Sequence, residues 1–458
     1  MKKEVKKEGL FKRFTHFCVG IMQKYLPDPF LFCALLTFIV FICSVMFTNQ
    51  SPIGVIQNWA GGFWSLLSFS MQMALVLVTG HTMASSPVFK RGLENLASKL
   101  KTPGQAIVVV TLVSTVASLI NWGFGLVIGA LFAKEIARKL KGVDYRLLIA
   151  SAYSGFVVWH GGFSGSIPLQ LASGGEALKK QTAGAIAASI PTSETLFSPM
   201  NIFIVVSLLI ALPLLNKAMC PSDEDVVTID AKLLVEEEKV EKDRADMTPA
   251  EKLENSRILS MILGVMGFTY IIYYLATKGF SLNLDIVNFI FLFLGIVLHG
   301  TPRKFLDAIY EATKGSAGII LQFPFYAGIM GIMVGKNMEG LSLASQMSNF
   351  FVGISTVRTF PLFSFISAGL VNFFVPSGGG QWAVQAPIMM PAGLQLGVPA
   401  AKTAMAIAWG DAWTNMIQPF WALPALGIAG LGAKDIMGYC LIVTIVSGII
   451  ISTGFFLF

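Results

Sequence analysis

Asp411 is the one acidic residue between Glu339 and Asp435, and it stands inside the apolar run Trp409-Gly410-Asp411-Ala412-Trp413-Thr414-Asn415. A carboxylate inside a membrane span costs about 2.5–3.5 kcal/mol on the insertion scale, so ligating a cation or carrying a proton is its first explanation. A cap on a broken helix is the structural alternative. The related stretch Trp159-His160-Gly161-Gly162-Phe163-Ser164-Gly165-Ser166 lies 250 positions earlier. His160 there falls one position from the repeat equivalent of Asp411; it suits a proton relay or a hydrogen-bonded core. Each copy trails an asparagine segment. Asn121-Trp122-Gly123-Phe124-Gly125 begins 38 residues before Trp159, and the segment from Asn372 through Ser377-Gly378-Gly379-Gly380 begins 37 residues before Trp409.

These clusters carry neutral donors and acceptors: Asn121, Ser164, Ser166, Asn372, Ser377, Gln381, Gln385, Thr414, Asn415 and Gln418. The glycines among them, Gly161, Gly162, Gly165 and Gly378 to Gly380, permit helix breaks, which a membrane tolerates where they line protein or a water-filled cavity. Helices starting at such breaks aim free N–H groups and a positive dipole end at the cavity, which suits a carboxylate. The carbonyl ends of the preceding half-helices suit a cation. None of the four clusters holds a lysine or arginine, which favours a small monoanion over a di- or tricarboxylate. Trp122, Trp159, Trp382 and Trp413 stand where they can wall an apolar tail or anchor at an interface.

The expected substrate set is therefore Asn121, Gly162, Ser164, Ser166, Asn372, Ser377, Gly378, Gly379, Gly380, Gln381, Thr414 and Asn415. Asp411 and His160 are expected to couple a cation, H⁺ or Na⁺, with Na⁺ placed near Asn121 and Asn372. No other cofactor is implied.

The elements that position them belong to a membrane protein. The chain has 458 residues, 54% hydrophobic and 13% charged, far more apolar than a soluble domain. Its partners are lipid and a small solute, and its net charge of +7 gives no case for nucleic acid. The five cysteines, Cys18, Cys33, Cys43, Cys220 and Cys440, show no paired spacing and read as free thiols. No small-residue cleavage site follows the first apolar run, so that run reads as a span rather than a removed signal.

Taking 103–140 and 359–399 as re-entrant hairpins leaves nine crossings: 29–47, 62–83, 145–168, 201–216, 258–277, 285–299, 315–335, 402–428 and 436–458. With the N-terminus cytoplasmic, 27 Lys and Arg fall inside and six outside, the latter being Lys179, Lys180, Lys278, Lys336, Arg358 and Lys402; this fits the positive-inside rule. Counting each hairpin as two full spans leaves every side unchanged. Five crossings separate the starts of the two repeats, so the repeats are inverted, a recurring plan in secondary transporters. The expected units are a cytoplasmic segment 1–28, a first repeat 29–216, a charged cytoplasmic linker 217–257, a connecting span 258–284 and a second repeat 285–458. Residues 169–200 form a longer outward connection that either folds back over the site or, as the first reading, is a solvated loop with a short surface helix.

The motifs resemble those of the bacterial short-chain fatty acid transporter family, the acetoacetate and butyrate carriers. The matching stretches include Gly61-Gly62-Phe63-Trp64, Ile120-Asn121-Trp122-Gly123-Phe124-Gly125, Gly162-Phe163-Ser164-Gly165-Ser166, Gln322-Phe323-Pro324-Phe325-Tyr326-Ala327-Gly328-Ile329, Val375-Pro376-Ser377-Gly378-Gly379-Gly380 and Gln418-Pro419-Phe420-Trp421-Ala422-Leu423-Pro424. His160 and Thr414 depart from the family's form. The likeness spans nearly the whole chain and implies the all-helical architecture of the ion transporter superfamily. That architecture has two re-entrant hairpins and two broken helices on a mobile elevator domain, beside a homodimeric scaffold in the bacterial inner membrane. The implied activity is import of short monocarboxylates by cation symport, not enzymatic turnover. A passive monocarboxylate anion channel is the alternative. A membrane enzyme ranks last, since spacing reveals no Ser-His-Asp arrangement.

Overall fold

The computed structural model describes residues 29–221, 226–229, 243, 245–279, 282–372, 375 and 377–458, and every regular element among them is helical. The expected cytoplasmic segment 1–28 and much of the linker lie outside the described residues. Among the described residues six helical stretches are long and apolar enough to cross a membrane: Leu67–Ala84, Pro103–Ile120, Pro199–Ala218, Pro249–Lys278, Pro302–Val334 and Asp435–Leu457. Others are shorter and apolar, such as Leu284–His299 and Phe360–Asn372.

The first series of helices is α1 (Pro29–Thr48), α2 (Pro52–Gly62), α3 (Leu67–Ala84), α4 (Pro87–Ser98), α5 (Pro103–Ile120), α6 (Trp122–Lys139), α7 (Tyr145–Ser154), α8 (Ser166–Ser173), α9 (Gly175–Gln181) and α10 (Pro199–Ala218). Next come α11 (Pro249–Glu254) and α12 (Arg257–Lys278). The second series is α13 (Leu284–His299), α14 (Pro302–Thr313), α15 (Ala317–Val334), α16 (Leu343–Ile354), α17 (Phe360–Asn372), α18 (Gly378–Gln395), α19 (Ala400–Thr414), α20 (Leu423–Ala429) and α21 (Ala433–Leu457). The order of lengths recurs: α1 to α8 match α13 to α20, and α10 matches α21. Helix α9 and the chain after it have no counterpart, because only 430–432 separate α20 from α21.

Local sequence sets the helix starts. Ser51, Thr102, Ser198 and Thr301 each accept a bond from the first turn, and each is followed by proline at the first helical position. This joins a side-chain acceptor to a residue that lacks an N–H in need of a partner. The expected span 62–83 is shorter in the structure, because the chain turns after Gly62 and makes α2 a separate helix. Gly62 meets α15 so closely that a Cβ would lie 2.9 Å from the Gly331 Cα.

Helix α12 buries few residues and exposes Ile258, Met261, Ile262, Val265, Met266, Ile272 and Tyr273, the face of a helix solvated by lipid. It packs on α13 where Gly264 meets Val297 and Gly267 meets Phe293, small residues letting two helices approach without a hydrophobic driving force.

Candidate functional site

Asn121 ends α5 and starts α6 as a single residue. Its backbone is extended (φ −154°), and its side chain accepts the Phe124 N–H at 2.9 Å. The chain thus reverses at one position, and α6 packs back along α5. Gly125 makes this possible, since a Cβ there would lie 2.6 Å from the Ser118 Cα. The Asn121 amide also donates to the Val76 carbonyl of α3 at 3.4 Å. In the second series α17 ends at Asn372 and α18 begins at Gly378, where Ser377 caps α18 by accepting from the Gly380 N–H. Gly378, Gly379 and Gly380 form the first turn of α18 rather than a break within it.

The first broken helix leaves α7 as a 3₁₀ segment, Gly155–Gly161, becomes extended at Gly162 and restarts at Ser166. A mid-helix 3₁₀ stretch is a frequent mark of a functional hinge. Here it lets Gly155 sit against α5, where a Cβ would lie 2.5 Å from the Thr115 nitrogen. The second broken helix stops at Thr414, turns through 415–418 and resumes at Pro419–Ala422. Asp411 lies inside α19 and caps no helix, which removes the capping alternative.

The two broken helices meet. Tyr153 donates to the Asn415 carbonyl at 2.6 Å. Asn201 of α10 ties both together, donating to the Gly161 carbonyl at 3.1 Å while its oxygen accepts from Trp409 Nε1 at 3.0 Å. At their centre His160 Nδ1 lies 2.7 Å from the Ala408 carbonyl oxygen and 3.4 Å from Asp411 Oδ2, and its Nε2 lies 2.9 Å from Ser166 Oγ. The carbonyl can only accept, so Nδ1 carries a proton, and in a neutral ring Nε2 accepts from the Ser166 hydroxyl. A Ser166–His160–Asp411 line therefore exists that spacing alone does not reveal. All three side chains are buried, at 1% exposure or less.

Two helix N-termini face this line. Ser166 is the first residue of α8, and Gly378 is the first of α18. A Cβ on Gly378 would lie 2.5 Å from His160 Cε1 and 2.7 Å from Ser166 Oγ. Gly379 and Gly380 face away from it, against Phe69 and Phe323 and against Tyr326 respectively.

Two helix C-termini supply the other side. Asn372, at the end of α17, donates to the Asp411 carbonyl at 3.1 Å, Thr414 Oγ1 at 2.9 Å and Asn415 Oδ1 at 2.8 Å. Asn415 donates to Asp411 Oδ2 at 3.3 Å, and Thr414 to the Gly369 carbonyl at 3.0 Å. Asp411 Oδ1, Asn372 Oδ1 and Gln381 Oε1 are buried without a hydrogen-bond partner among the described residues. Such oxygens are expensive to leave unpaired. Gln381 is held one turn away by the Ala368 carbonyl at 2.7 Å and by Gln385 at 2.9 Å.

The structure thus gathers His160, Ser166, Asn372, Gly378, Asp411, Thr414 and Asn415. Asn121 and Ser164 form a second polar junction, in which Ser164 Oγ accepts the Trp122 N–H at 2.8 Å and the Phe163 N–H reaches the Leu119 carbonyl at 2.7 Å. Gly162 belongs to this junction, its Cβ position lying 2.6 Å from the Leu119 Cα. Of the four tryptophans, Trp159 stacks on His160 (ring centroids 3.6 Å apart) and touches Trp122 at 5.9 Å. The Trp382 and Trp413 indoles are engaged elsewhere, by Gln181 at 2.9 Å and by the Thr444 carbonyl at 2.6 Å.

Gln181 also decides between the two readings of 169–200, against the solvated loop and for the fold-back. Leu178, Gln181 and Thr182 are buried, and the segment folds back onto α18. Its Glu and Lys residues concealed this, because they face outward on a helix whose other side is covered.

Residues 10–458 match the sequence profile of short chain fatty acid transporters. The chain belongs to the short-chain fatty acid transporter family. Two relatives of this family, each provisionally named a short-chain fatty acid transporter, cover it nearly end to end. The one from Escherichia coli (strain K12) is 47% identical over 97% of this chain and 99% of its own. The one from Haemophilus influenzae (strain ATCC 51907 / DSM 11121 / KW20 / Rd) is 46% identical over 98% of this chain and 100% of its own. The fold is similar to the solved structure of Neisseria gonorrhoeae MtrF, described as one of a class of antimetabolite efflux pumps. The TM-score is 0.58 at 14% identity, over 97% of each chain. This family member is a multi-pass membrane protein, and its packed polar cluster lies where two broken helices cross.

Proposed function

We propose that the chain imports short-chain monocarboxylates such as butyrate and acetoacetate by symport with a cation. One observation carries this reading: two helix N-termini, at Ser166 and Gly378, and two helix C-termini, at Asn372 and Thr414, converge on His160 and Asp411. The positive dipole ends favour a carboxylate and the negative ends a cation, so one site has adjacent places for both. Without lysine or arginine it holds the anion through N–H groups and hydroxyls, which suits a single negative charge.

Symport follows from the membrane field. Importing a monoanion against an inside-negative potential costs about 2.3 kcal/mol per 100 mV, roughly a fifty-fold penalty in concentration, and one accompanying cation cancels it. A proton is the first candidate, because Asp411 Oδ2 faces the His160 ring. Sodium is the second reading, favoured by the buried, unpartnered Asp411 Oδ1 and Asn372 Oδ1, since oxygens are the ligands of hard cations. The cluster is closed: His160, Ser166, Asn372, Asp411, Thr414 and Asn415 are each at 3% exposure or less. That supports a carrier over an open channel.

The rest of the reading is an inverted-repeat transporter in the inner membrane with a cytoplasmic N-terminus. Its hairpins and broken helices travel as an elevator beside a homodimeric scaffold. Contacts that pair segments of one predicted side support the topology, among them Lys139 with Glu94, Asn337 with Thr48 and Gln346 with Phe47.

The test is competition for uptake of labelled butyrate into proteoliposomes. Acetate, acetoacetate and unlabelled butyrate are expected to compete, and succinate to leave uptake unchanged. Inhibition by succinate as strong as by butyrate would refute the monocarboxylate assignment.

A further inference from the structure

A cavity of ≈ 720 Å³ has two walls of different origin. One is α2 and α15, represented by Asn58 and Gly331. The other is the far half of α18, represented by Pro387 and Gln395, joined by the α9 segment. Its charged lining is Lys179, Lys180 and Lys336 against Glu176 alone. Glu176 lies 3.7 Å from Lys179, and Lys180 and Lys336 have no ion-pair partner among the described residues.

Three observations point the same way. Loop charge assigns only six Lys and Arg to the outer side, and three of them, Lys179, Lys180 and Lys336, line this one cavity. The buried cluster has no cation of its own to draw an anion towards it. Helix α18 connects the two places: Pro387 is nine residues beyond Gly378, roughly 13 Å along the helix at 1.5 Å per residue. A cleft lined by one sign of charge focuses the field and concentrates counter-ions. Lysine, a hydrated point charge on a flexible stem, fits brief capture better than a fixed bidentate clamp.

We propose that this cavity is an outer capture site for the carboxylate, where Lys180 and Lys336 hold the anion before it passes along α18 to the lysine-free cluster. The inference rests on the transport reading above and adds an entry subsite to it.

The experiment is butyrate uptake into proteoliposomes of determined orientation. Wild type, Lys180→Gln/Lys336→Gln and Lys180→Arg/Lys336→Arg proteins are compared at low and at physiological ionic strength. The Debye length falls from ~30 Å at 0.01 M to ~8 Å at 0.15 M, so the wild-type KM rises with salt. The Gln variant is expected to show a KM about ten-fold higher at low salt, the low end of the range of electrostatic steering, with little further rise on adding salt. The Arg variant keeps the wild-type KM and its salt dependence. A Gln variant with the wild-type KM and salt slope, or one whose maximal rate alone falls, overturns the proposal. So does an Arg variant that behaves like the Gln variant. A wild-type protein that takes up no butyrate is a different result, refuting the transport reading and this inference with it.

Discussion

An Asp411→Asn protein is expected to let butyrate equilibrate but to lose accumulation driven by a cation gradient. Asparagine preserves the volume and can still accept from Asn415, whose amide lies 3.3 Å from Asp411 Oδ2. It removes the charge that the cation answers. An uncoupled monoanion at an inside-negative potential of 100 mV is excluded about fifty-fold, so the accumulation ratio should fall by at least that factor. The measurement is the steady-state ratio of labelled butyrate across the proteoliposome membrane, with counterflow exchange as the control for a folded carrier. Undiminished accumulation with wild-type cation dependence would remove Asp411 from the coupling step.

The second large effect is expected at Gly378. A methyl group there would lie 2.5 Å from His160 Cε1 and 2.7 Å from Ser166 Oγ, and His160 cannot yield easily. Its ring is held by the Ala408 carbonyl at 2.7 Å and stacks on Trp159. Overpacking of this kind costs about 1–3 kcal/mol. Gly378→Ala should therefore abolish uptake and lower the thermal midpoint in detergent. His160→Ala in the same chain should recover much of that midpoint, because neighbours sharing one space are not additive. Gly353→Ala, in α16 with nothing within 4 Å of its Cβ position, should leave both readouts unchanged. Full uptake by Gly378→Ala would mean that α18 does not start against His160.

Much of this arrangement was legible in the chain. Asn121 stood out because a polar residue beside glycines ends an apolar run, and it proves to be the single-residue tip of a helical hairpin. Asp411 and His160 stood out as polar groups in apolar surroundings, and they face each other across the crossing. What sequence could not convey was contact across long separations. Tyr153 with Asn415 and Asn201 with Trp409 are 262 and 208 residues apart, and neither pair leaves a periodic trace. Asn201 carried a weak signal as a lone amide near the start of the apolar α10. The burial of α9 was hidden for a different reason: Glu176, Lys179 and Lys180 dominate its composition, while Leu178 and Gln181 alone form its covered face. The glycines misled in a smaller way, since Gly378 to Gly380 serve close packing of a helix start rather than a break.

The most direct test of coupled transport imposes a pH gradient and a Na⁺ gradient separately on proteoliposomes and follows labelled butyrate, with protein-free liposomes subtracting acid leak. The account predicts protein-dependent accumulation above equilibrium with one of the two. A response to pH assigns the proton to His160 and Asp411, and a response to Na⁺ assigns the ion to Asp411 and Asn372. Protein-dependent entry that stops at equilibrium under both gradients would contradict the account and make the protein a channel.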